Sequence, residues 1–452
     1  MKLTTFGWIS VAALALASTP IACFDAHAPT CTVDCASDAD CPGGLTCGPS
    51  NKCSHNGASC EDTNTPCTLD ALRCKPGGDP AVVEKCDASG AWTTSETCAT
   101  GCVAEAVPHC GHIEPTIAAL KTICDVTATT PVRVLTGNTT ILTDDEAMCD
   151  FTIAQGGGPE ICVIRAGTLL VAQGSLIAFR GPPAIALVAD GNVTIEGSID
   201  ATGTSSADGP GGGGTRVSGE ASMGHYGGGG AGFRTAGAAG GAGSPGAGNA
   251  GGAAVPDPTL SPILVGGFRP KVLAADSSFG GGAGGAIAVI SCTGTVKVSA
   301  VIDAGGGGGQ PGGDYAAGDF RSGAGGGSGG LISIQAPHID IATGGSLYAN
   351  GGGGGGGNSL SGNLGMLGEE ATTSNTVCAR GGLSGGTAGR GGDGACGTTL
   401  PSVGLGDTAA ISGGGGGGSM GYSILYTPAG ITPTTGVNAS SPALTLATAN
   451  LR

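Results

Sequence analysis

The segment AIALVADGNVTIEGSIDA, residues 184–201, decides the fold that we expect for this chain. It holds three short runs rich in Ile, Val and Leu, separated by Gly and Asn. Such alternation of β-branched residues with turn formers predicts three short strands. The pattern returns at residues 161–178, 286–304 and 331–349, and more loosely at 422–439. A pattern that recurs in units of about 18 residues indicates a repeat protein.

These units must stack on one another, because a single unit cannot bury its apolar face alone. Stacking at about 4.8 Å per layer would form a long, narrow aliphatic core. The units resemble the coils of right-handed parallel β-helix proteins, a group that holds surface adhesins, autotransporter passengers and polysaccharide lyases. The resemblance implies an all-β solenoid over residues 131–445. From the repeat pattern we expect residues 132–155 to form a sixth, capping turn.

Long glycine-rich tracts interrupt the repeat at residues 203–285, 305–330 and 351–421. Glycine contributes 94 of 452 residues and aromatic residues only 3%, a composition that excludes one thick globular core. The tracts are either disordered or packed as extended polyglycine strands over one face of the solenoid. We expect partial order, with Cys378 and Cys396 clipping the last tract. Matches to G-x-G-x-x-G within such tracts predict no nucleotide site, because they lack the flanking strand and helix.

The cysteines indicate an oxidising compartment. The chain has 19 cysteines, of which 12 lie between Cys31 and Cys110, and cytosolic thiols are kept reduced. No C-x-x-C pair is present, so we predict disulfides rather than a metal site. The spacings in the disulfide-rich region, residues 31–112, resemble small cysteine-rich modules at the front of bacterial surface lipoproteins. The region is then either a protein-binding module or a stiff stalk that lifts the rest of the chain from the membrane. The disulfide candidates are Cys31, Cys35, Cys41, Cys47, Cys53, Cys60, Cys67, Cys74, Cys86, Cys98, Cys102, Cys110, Cys124, Cys149, Cys162, Cys292, Cys378 and Cys396.

The first residues predict export. Lys2, the apolar run 6–17 and a zone of small residues have the order of a signal peptide, which we place at residues 1–22. Ile21-Ala22-Cys23 resembles the lipobox of bacterial lipoproteins and implies lipidation of Cys23, with the membrane as partner and the outer membrane or cell surface as location. The alternative is cleavage after Ala28 and plain secretion. Residues 23–30 and 113–130 are interpreted as linkers, and residues 446–452 as a C-terminal tail.

The charge pattern limits the partners. The net charge is −16 and only 12% of residues are charged, whereas nucleic-acid binding needs clustered Lys and Arg. We expect no cofactor. A calcium ion held by Asp34, Asp38 and Asp40 is the one alternative, although the cluster lacks the glycine and terminal Glu of an EF-hand loop.

Two carboxylates are the catalytic candidates. Asp200 and Asp303 hold the same slot in two repeats, where Ile177, Tyr348 and Asn438 stand in the others. The slot alternates with core residues, so we expect it to face outward and to bring the two carboxylates together. Paired carboxylates can act as acid and base on a glycosidic bond or bind a cation. The alternative is a solvated corner that accepts any polar residue. Lys297 and Arg165 are the basic residues that we place in the repeats.

Four Phe-Arg pairs form the second candidate site. One follows the first repeat, at Phe179-Arg180. We expect each Phe to pin a glycine loop to the solenoid while its Arg stays in water. The alternative is a row of aromatic and cationic contacts for an acidic glycan or protein partner. The binding candidates in the tracts are Phe233, Arg234, Phe268, Arg269, Phe320 and Arg321.

These features predict a non-catalytic surface adhesin or structural exoprotein that binds a glycan or a surface protein. No convergent cluster of polar residues points to an enzyme. The alternative is a polysaccharide lyase or glycoside hydrolase that uses Asp200 and Asp303 on stacked repeats.

Overall fold

A computed structural model describes most of the chain. Among the described residues, no helix is both long enough and apolar enough to cross a bilayer. The predicted signal peptide, Cys23, Cys31 and Cys60 lie outside them. The described residues are 33–41, 45–47, 51–54, 67–76, 82–98, 100–104, 108–213, 225–243, 246–255, 263–271, 280–312, 314–315, 319–320, 322–359, 363–406, 412–436 and 440–452.

The chain divides into two compact units. One holds residues 1–71 and 85–93, and the other holds 72–84 and 94–452. The first contains a 3₁₀ turn at Asp38–Asp40 and the antiparallel strands β1 (Thr46–Cys47) and β2 (Cys53–Ser54). Few apolar residues pack there, so disulfides take the place of a core. Its disulfides are Cys35–Cys47, Cys41–Cys53 and Cys67–Cys86.

Short elements precede the repeats. Strands β6 and β7 pair antiparallel, and the disulfides Cys74–Cys102 and Cys98–Cys110 tie this part of the second unit together. Single 3₁₀ turns follow at Ala118–Leu120 and Ile123–Asp125. In chain order the strands are β3 (Leu72–Cys74), β4 (Val82–Cys86), β5 (Trp92–Thr97), β6 (Cys102–Val103), β7 (His109–Cys110), β8 (Ile113–Glu114), β9 (Val132–Leu135), β10 (Asn138–Leu142) and β11 (Phe151–Ile153).

Each predicted repeat contributes three strands. Between the third and fourth repeats, β21 and β22 form a short antiparallel pair, and β29 follows the fifth repeat. The strands are β12 (Ile161–Ala166), β13 (Thr168–Val171), β14 (Leu176–Arg180), β15 (Ala184–Ala189), β16 (Val193–Ile195), β17 (Ser198–Asp200), β18 (Ala286–Ser291), β19 (Thr295–Val298), β20 (Val301–Asp303), β21 (Asp314–Tyr315), β22 (Asp319–Phe320), β23 (Leu331–Gln335), β24 (His338–Ile341), β25 (Ser346–Tyr348), β26 (Tyr422–Pro428), β27 (Thr434–Thr435), β28 (Ser440–Ser441) and β29 (Thr445–Leu451).

Three sheets collect these strands, one from each repeat, and the pairing between repeats is parallel. Sheet A has the order β11-β12-β15-β18-β23-β26-β29-β8, sheet B β10-β14-β17-β20-β25-β28, and sheet C β27-β24-β19-β16-β13-β9. Antiparallel pairs occur at both edges of sheet A, between β11 and β12 and between β29 and β8. The predictions of an all-β chain with parallel strands and of a disulfide-rich N-terminal region are confirmed.

An aliphatic ladder runs through the centre of sheet A. In-register pairing aligns Ile164, Leu187, Val289, Ile334 and Leu425, one from each repeat, and all are at most 1% exposed. They pack in one cluster with inward residues of sheets B and C. β-Branched and leucine side chains suit this core because they stack on a pleated surface with few voids.

The opposite face of sheet A is also buried along its central strands, which explains the mainly apolar sequences of β12, β15, β18 and β23. This face carries small residues such as Ala186 and Ala288. Phe233 and Phe268, from the first glycine tract, pack on it with ring centroids 5.3 Å apart, and Phe233 lies 5.2 Å from the ring of Tyr422. Two core clusters therefore share sheet A, and its second face is covered by the glycine tracts together with residues 113–123.

The described parts of the three tracts form an ordered assembly that we call the glycine bundle. In residues 351–357, every third N–H donates to the same neighbouring segment, at 2.8–3.0 Å. This period matches an extended helix of three residues per turn, which makes no hydrogen bonds within itself. The pairs are Gly351, Gly354 and Gly357 to Ala395, Gly392 and Gly389; Gly352 and Gly355 to Gly327 and Ala324; and Gly353 and Gly356 to Glu369 and Met366.

The carbonyls of this segment face three further neighbours. For every three residues along the central segment, the residue number of the hydrogen-bonding partner changes by three. It rises for some neighbouring segments and falls for others, so parallel and antiparallel neighbours are both present. In all, six segments surround the central one. Gly418 and Gly415 donate to Gly352 and Gly355, Gly309 and Gly312 to Gly353 and Gly356, and Gly382 and Gly385 to Gly354 and Gly357.

Only glycine permits this packing. A Cβ on Gly352, Gly354 or Gly355 would lie closer than 3.0 Å to a backbone oxygen of a neighbouring segment. Real Cβ atoms do not approach oxygen so closely, and the neighbour is backbone rather than a flexible side chain. Order in the tracts thus comes from backbone hydrogen bonds made in every direction around each segment.

Disulfides tie the second unit together at three further places. Cys124–Cys292 joins the residues before the repeats to the end of β18, and Cys149–Cys162 joins β12 to the residues that precede β11. Cys378 and Cys396, expected to clip the last tract, form a disulfide inside the glycine bundle. A disulfide closes a loop in the unfolded chain and lowers its conformational entropy, which stabilises the folded chain. The effect grows with loop length, so it is largest for Cys124–Cys292, which are 168 residues apart.

We expect Gly354→Ala to destabilise the second unit by about 3 kcal/mol or more, because its Cβ would force the Gly415 carbonyl away. Urea-induced unfolding measures the change. Gly156→Ala is the matched control, since a Cβ there has open space. Equal stability of the two variants would contradict the packing described for residues 351–357.

Candidate functional site

Asp200 and Asp303 lie beside each other on sheet B. They end β17 and β20 and are paired in register, as the repeat alignment predicted. In the first repeat, however, their partner is Ala178 and not Ile177, which aligns with the core residue Ile199. The alternation of the strand sends the larger Ile177 inward, where it is 1% exposed. Tyr348 continues the row, Ser441 follows it, and Asn438 lies outside the described residues.

The two carboxylates have different surroundings. Asp303 was predicted to face outward but is 9% exposed, because residues of the last tract cover it. Ala371 donates its N–H to the carbonyl of Gly306 at 2.9 Å and holds that cover in place. Asp303 accepts a hydrogen bond from the Gly305 N–H at 2.9 Å. Burial, reinforced by the charge of Asp200, raises the pKa of Asp303 to about 7.

Asp200 stays ionised. Burial alone would raise its pKa, but hydrogen bonds from Arg180 and Thr202 outweigh it and hold the pKa below its usual value. The Arg180 guanidinium donates to one Asp200 oxygen at 2.6 Å and to the carbonyl of Phe179 at 2.7 Å. Thr202 donates both its N–H and its hydroxyl to the other oxygen, at 2.9 and 2.6 Å.

Glu370 is a third carboxylate at this place, and sequence reasoning did not find it. Its two oxygens accept the N–H groups of Ser205 and Gly308, each at 2.8 Å. Burial raises its pKa despite these bonds. All three carboxylates line a depression of about 380 Å³. No motif marks Glu370, because it reaches Asp303 only through the folding of the last tract.

The hydrogen bonds of these three carboxylates connect sheet B to the glycine tracts. Both oxygens of Asp200 and of Glu370 already accept hydrogen bonds, and Asp303 uses one of its own. Among the donors, Thr202 directly precedes the first glycine tract, and Gly305 and Gly308 lie at the start of the second. The carboxylates thus anchor the tracts where they leave sheet B. The basic partner is Arg180; the predicted Arg165 instead pairs with Asp190 at 2.7 Å.

Two of the Phe-Arg pairs, Phe233-Arg234 and Phe268-Arg269, hold parts of the first glycine tract against sheet A. Phe233 and Phe268 are 1% and 4% exposed, so their rings are closed to a ligand. Arg234 lies 5.5 Å from the centroid of the Tyr422 ring and donates to the Ala443 carbonyl, while Arg269 pairs with Asp208 at 3.0 Å. Phe320 and Arg321 lie outside the residues whose side chains are described.

The acidic cluster near the N-terminus organises a turn. Asp40 accepts the N–H groups of Ala36 and Ser37 at 2.9 and 2.8 Å, and these bonds lower its pKa. Asp38 accepts from the Cys47 N–H, and Asp34 pairs with Lys52. Within the described residues, the one group of three metal-ligating side chains is Cys35, Cys41 and Cys53, all in disulfides.

A set of exposed aliphatic side chains lies on the outer segments of the glycine bundle. Neighbouring segments are joined by hydrogen bonds from Met366 to Leu383, from Gly391 to Gly382 and from Leu405 to Arg390, at 2.8–2.9 Å. In residues 363–369 every third residue is a buried glycine, and the others face solvent. We call this set the outer apolar face: Leu364, Met366, Leu367, Leu383, Leu400, Val403 and Leu405, each 50–62% exposed.

A single exposed aliphatic side chain is ordinary on a protein surface. Several on adjoining segments are informative, because exposed apolar patches mark interaction sites. Leaving these seven side chains half exposed forgoes on the order of 5–10 kcal/mol of burial free energy. Sequence reasoning missed the face, because its members lie in different segments that only the bundle brings side by side.

Comparison with known proteins provides no relative. No protein-family profile, curated protein or solved structure matches this chain.

We expect Asp303→Asn to remove a pH dependence of stability. The folded chain keeps a proton on Asp303 up to about pH 7, whereas the unfolded chain releases it above about pH 4. Stability contributed at acid pH is therefore lost as the pH rises between these values, by up to about 4 kcal/mol. Denaturant unfolding of both proteins at pH 5 and pH 8 measures this. Asn can still accept the Gly305 bond, so parallel curves for the two proteins would contradict the assignment.

Proposed function

We propose that this chain is a non-catalytic exported protein of the cell surface or extracellular space, and that the glycine bundle is its binding element. The observation that carries the proposal is the outer apolar face, displayed on segments that backbone hydrogen bonds hold in place. A preorganised surface loses little conformational entropy when it binds. Glycans and surface proteins of partner cells are the ligand classes.

We infer that the three sheets form a right-handed parallel β-helix. In-register parallel pairing of successive repeats in all three sheets supports this fold, as does the single aliphatic ladder inside them. The glycine tracts leave between sheets B and A, where Asp200 and Asp303 accept hydrogen bonds from their first residues. The β-helix is then the support, and the glycine bundle is the part that faces a partner.

Export and lipidation are part of the proposal. Eight disulfides among the described residues are consistent with an extracellular location. We expect the mature chain to begin at Cys23 and to carry a lipid. Mass spectrometry of the N-terminal peptide checks this, with Cys23→Ser as the control that should lose the added mass. An unmodified N-terminus at Pro29 would show plain secretion instead.

The proposed function predicts that the chain binds its ligand and does not cleave it. The labelled full chain should bind cells of the source organism or immobilised glycans. Gly354→Ala should weaken that binding, whereas Gly156→Ala should not, because only the first change disturbs the glycine bundle. Acidic and neutral polysaccharides incubated with the chain should release no sugar ends.

A second candidate, a polysaccharide-active enzyme, is favoured by one observation. Asp303 has a pKa of about 7 beside the ionised Asp200, and carboxyls with separated pKa values suit an acid and its partner in glycoside cleavage. The occupied oxygens of Asp200 speak against it. Steady release of sugar ends that disappears in Asp303→Asn would overturn the binding proposal and establish this second one.

A further inference from the structure

We propose that the outer apolar face is a docking surface for a second copy of this chain. The inference rests on the proposed adhesion function and names its partner, so that binding is homophilic. It depends on three properties of the face: its apolar content, the charges at its rim and its preorganisation.

The apolar content suits a protein interface. A standard interface buries about 800 Å² per partner and has an apolar centre inside a polar rim. Seven aliphatic side chains on adjoining segments, each at least half exposed, can form such a centre.

The rim carries both signs of charge. Arg380 and Glu369 lie together at one side, where Glu369 donates its N–H to the Arg380 carbonyl at 2.9 Å. Arg390 and Asp393 form an ion pair at 3.2 Å on the segment between Leu383 and Leu405, so this pair lies among the aliphatic side chains and not at the rim. The guanidinium of Arg380 makes no ion pair with a described residue. A rim with both signs suits an isologous contact, in which a surface meets its own copy across a twofold axis.

Other occupants fit less well. An anionic membrane would be repelled by a chain of net charge −16. A strongly charged partner would leave its charges unpaired against the aliphatic centre. A second copy instead offers an apolar surface of equal size, and the bundle holds both surfaces in place before they meet.

The net charge of the chain predicts how its self-association changes with salt concentration. Two copies of charge −16 repel each other over a Debye length of about 10 Å at 0.1 M ionic strength. An apolar contact is not weakened by salt, so screening should tighten self-association. An association driven by ion pairs would weaken under the same change.

Sedimentation equilibrium of the full chain tests the proposal. We expect a dimer that tightens between 0.05 and about 0.5 M NaCl. Leu367→Asp combined with Leu383→Asp should weaken dimerisation by at least about tenfold, since central apolar residues dominate interfaces. Leu446→Asp is the matched control, because Leu446 is 59% exposed but lies on β29, outside the glycine bundle. Urea unfolding of the double variant and of the control checks that each remains folded.

Beads coated with the chain separate the inference from the proposed function. Wild-type beads should clump, as should beads carrying the control variant, whereas beads carrying the double variant should stay dispersed. A wild-type chain that stays monomeric yet binds cells would overturn the homophilic inference and leave the adhesion function standing. Binding of the wild-type chain to phosphatidylcholine vesicles, lost in the double variant, would overturn it in favour of a lipid surface. Clumping that is unchanged in the double variant would place the contact elsewhere and also overturn it.

Discussion

Close approach of backbones, possible only where Cβ is missing, is the constraint on which the glycine bundle depends. Around residues 351–357 each N–H and most carbonyls meet a different neighbour in turn, with a period of three. A side chain on the central glycines would collide with those neighbours. The high glycine content leaves too few large side chains for an ordinary core. The same glycines allow the backbones to pack closely against one another.

The repeats and the bundle support each other through sheet A. One face of that sheet packs against the aliphatic residues of sheets B and C, and the other packs against Phe233, Phe268 and the tracts. Every residue of β12 and β15 is buried, Arg165 of β12 included, because neither face of these strands is left to water. Carboxylates at the ends of β17 and β20 then hold the first residues of the tracts in place.

The cover of sheet B by the glycine tracts changes the role that we assign to Asp200 and Asp303. A stacked pair of Asp residues on repeats suggested an acid and a base, yet the oxygens of Asp200 accept bonds from Arg180 and Thr202. The raised pKa of Asp303 follows from its cover by the last tract. Binding is then better sought on the outer segments of the bundle, where exposed aliphatic side chains gather.

Sequence alone determined the strands of the repeats, because β-branched runs between turn residues record local preference and burial together. It also predicted the Asp200–Asp303 pairing and the Cys378–Cys396 disulfide. The tertiary structure decided that Ala178 and not Ile177 shares the row, that Asp303 is buried, and that Glu370 lies beside it. It alone decided the six-neighbour packing and the outer apolar face, because a glycine has no side chain that could indicate which distant segment lies next to it.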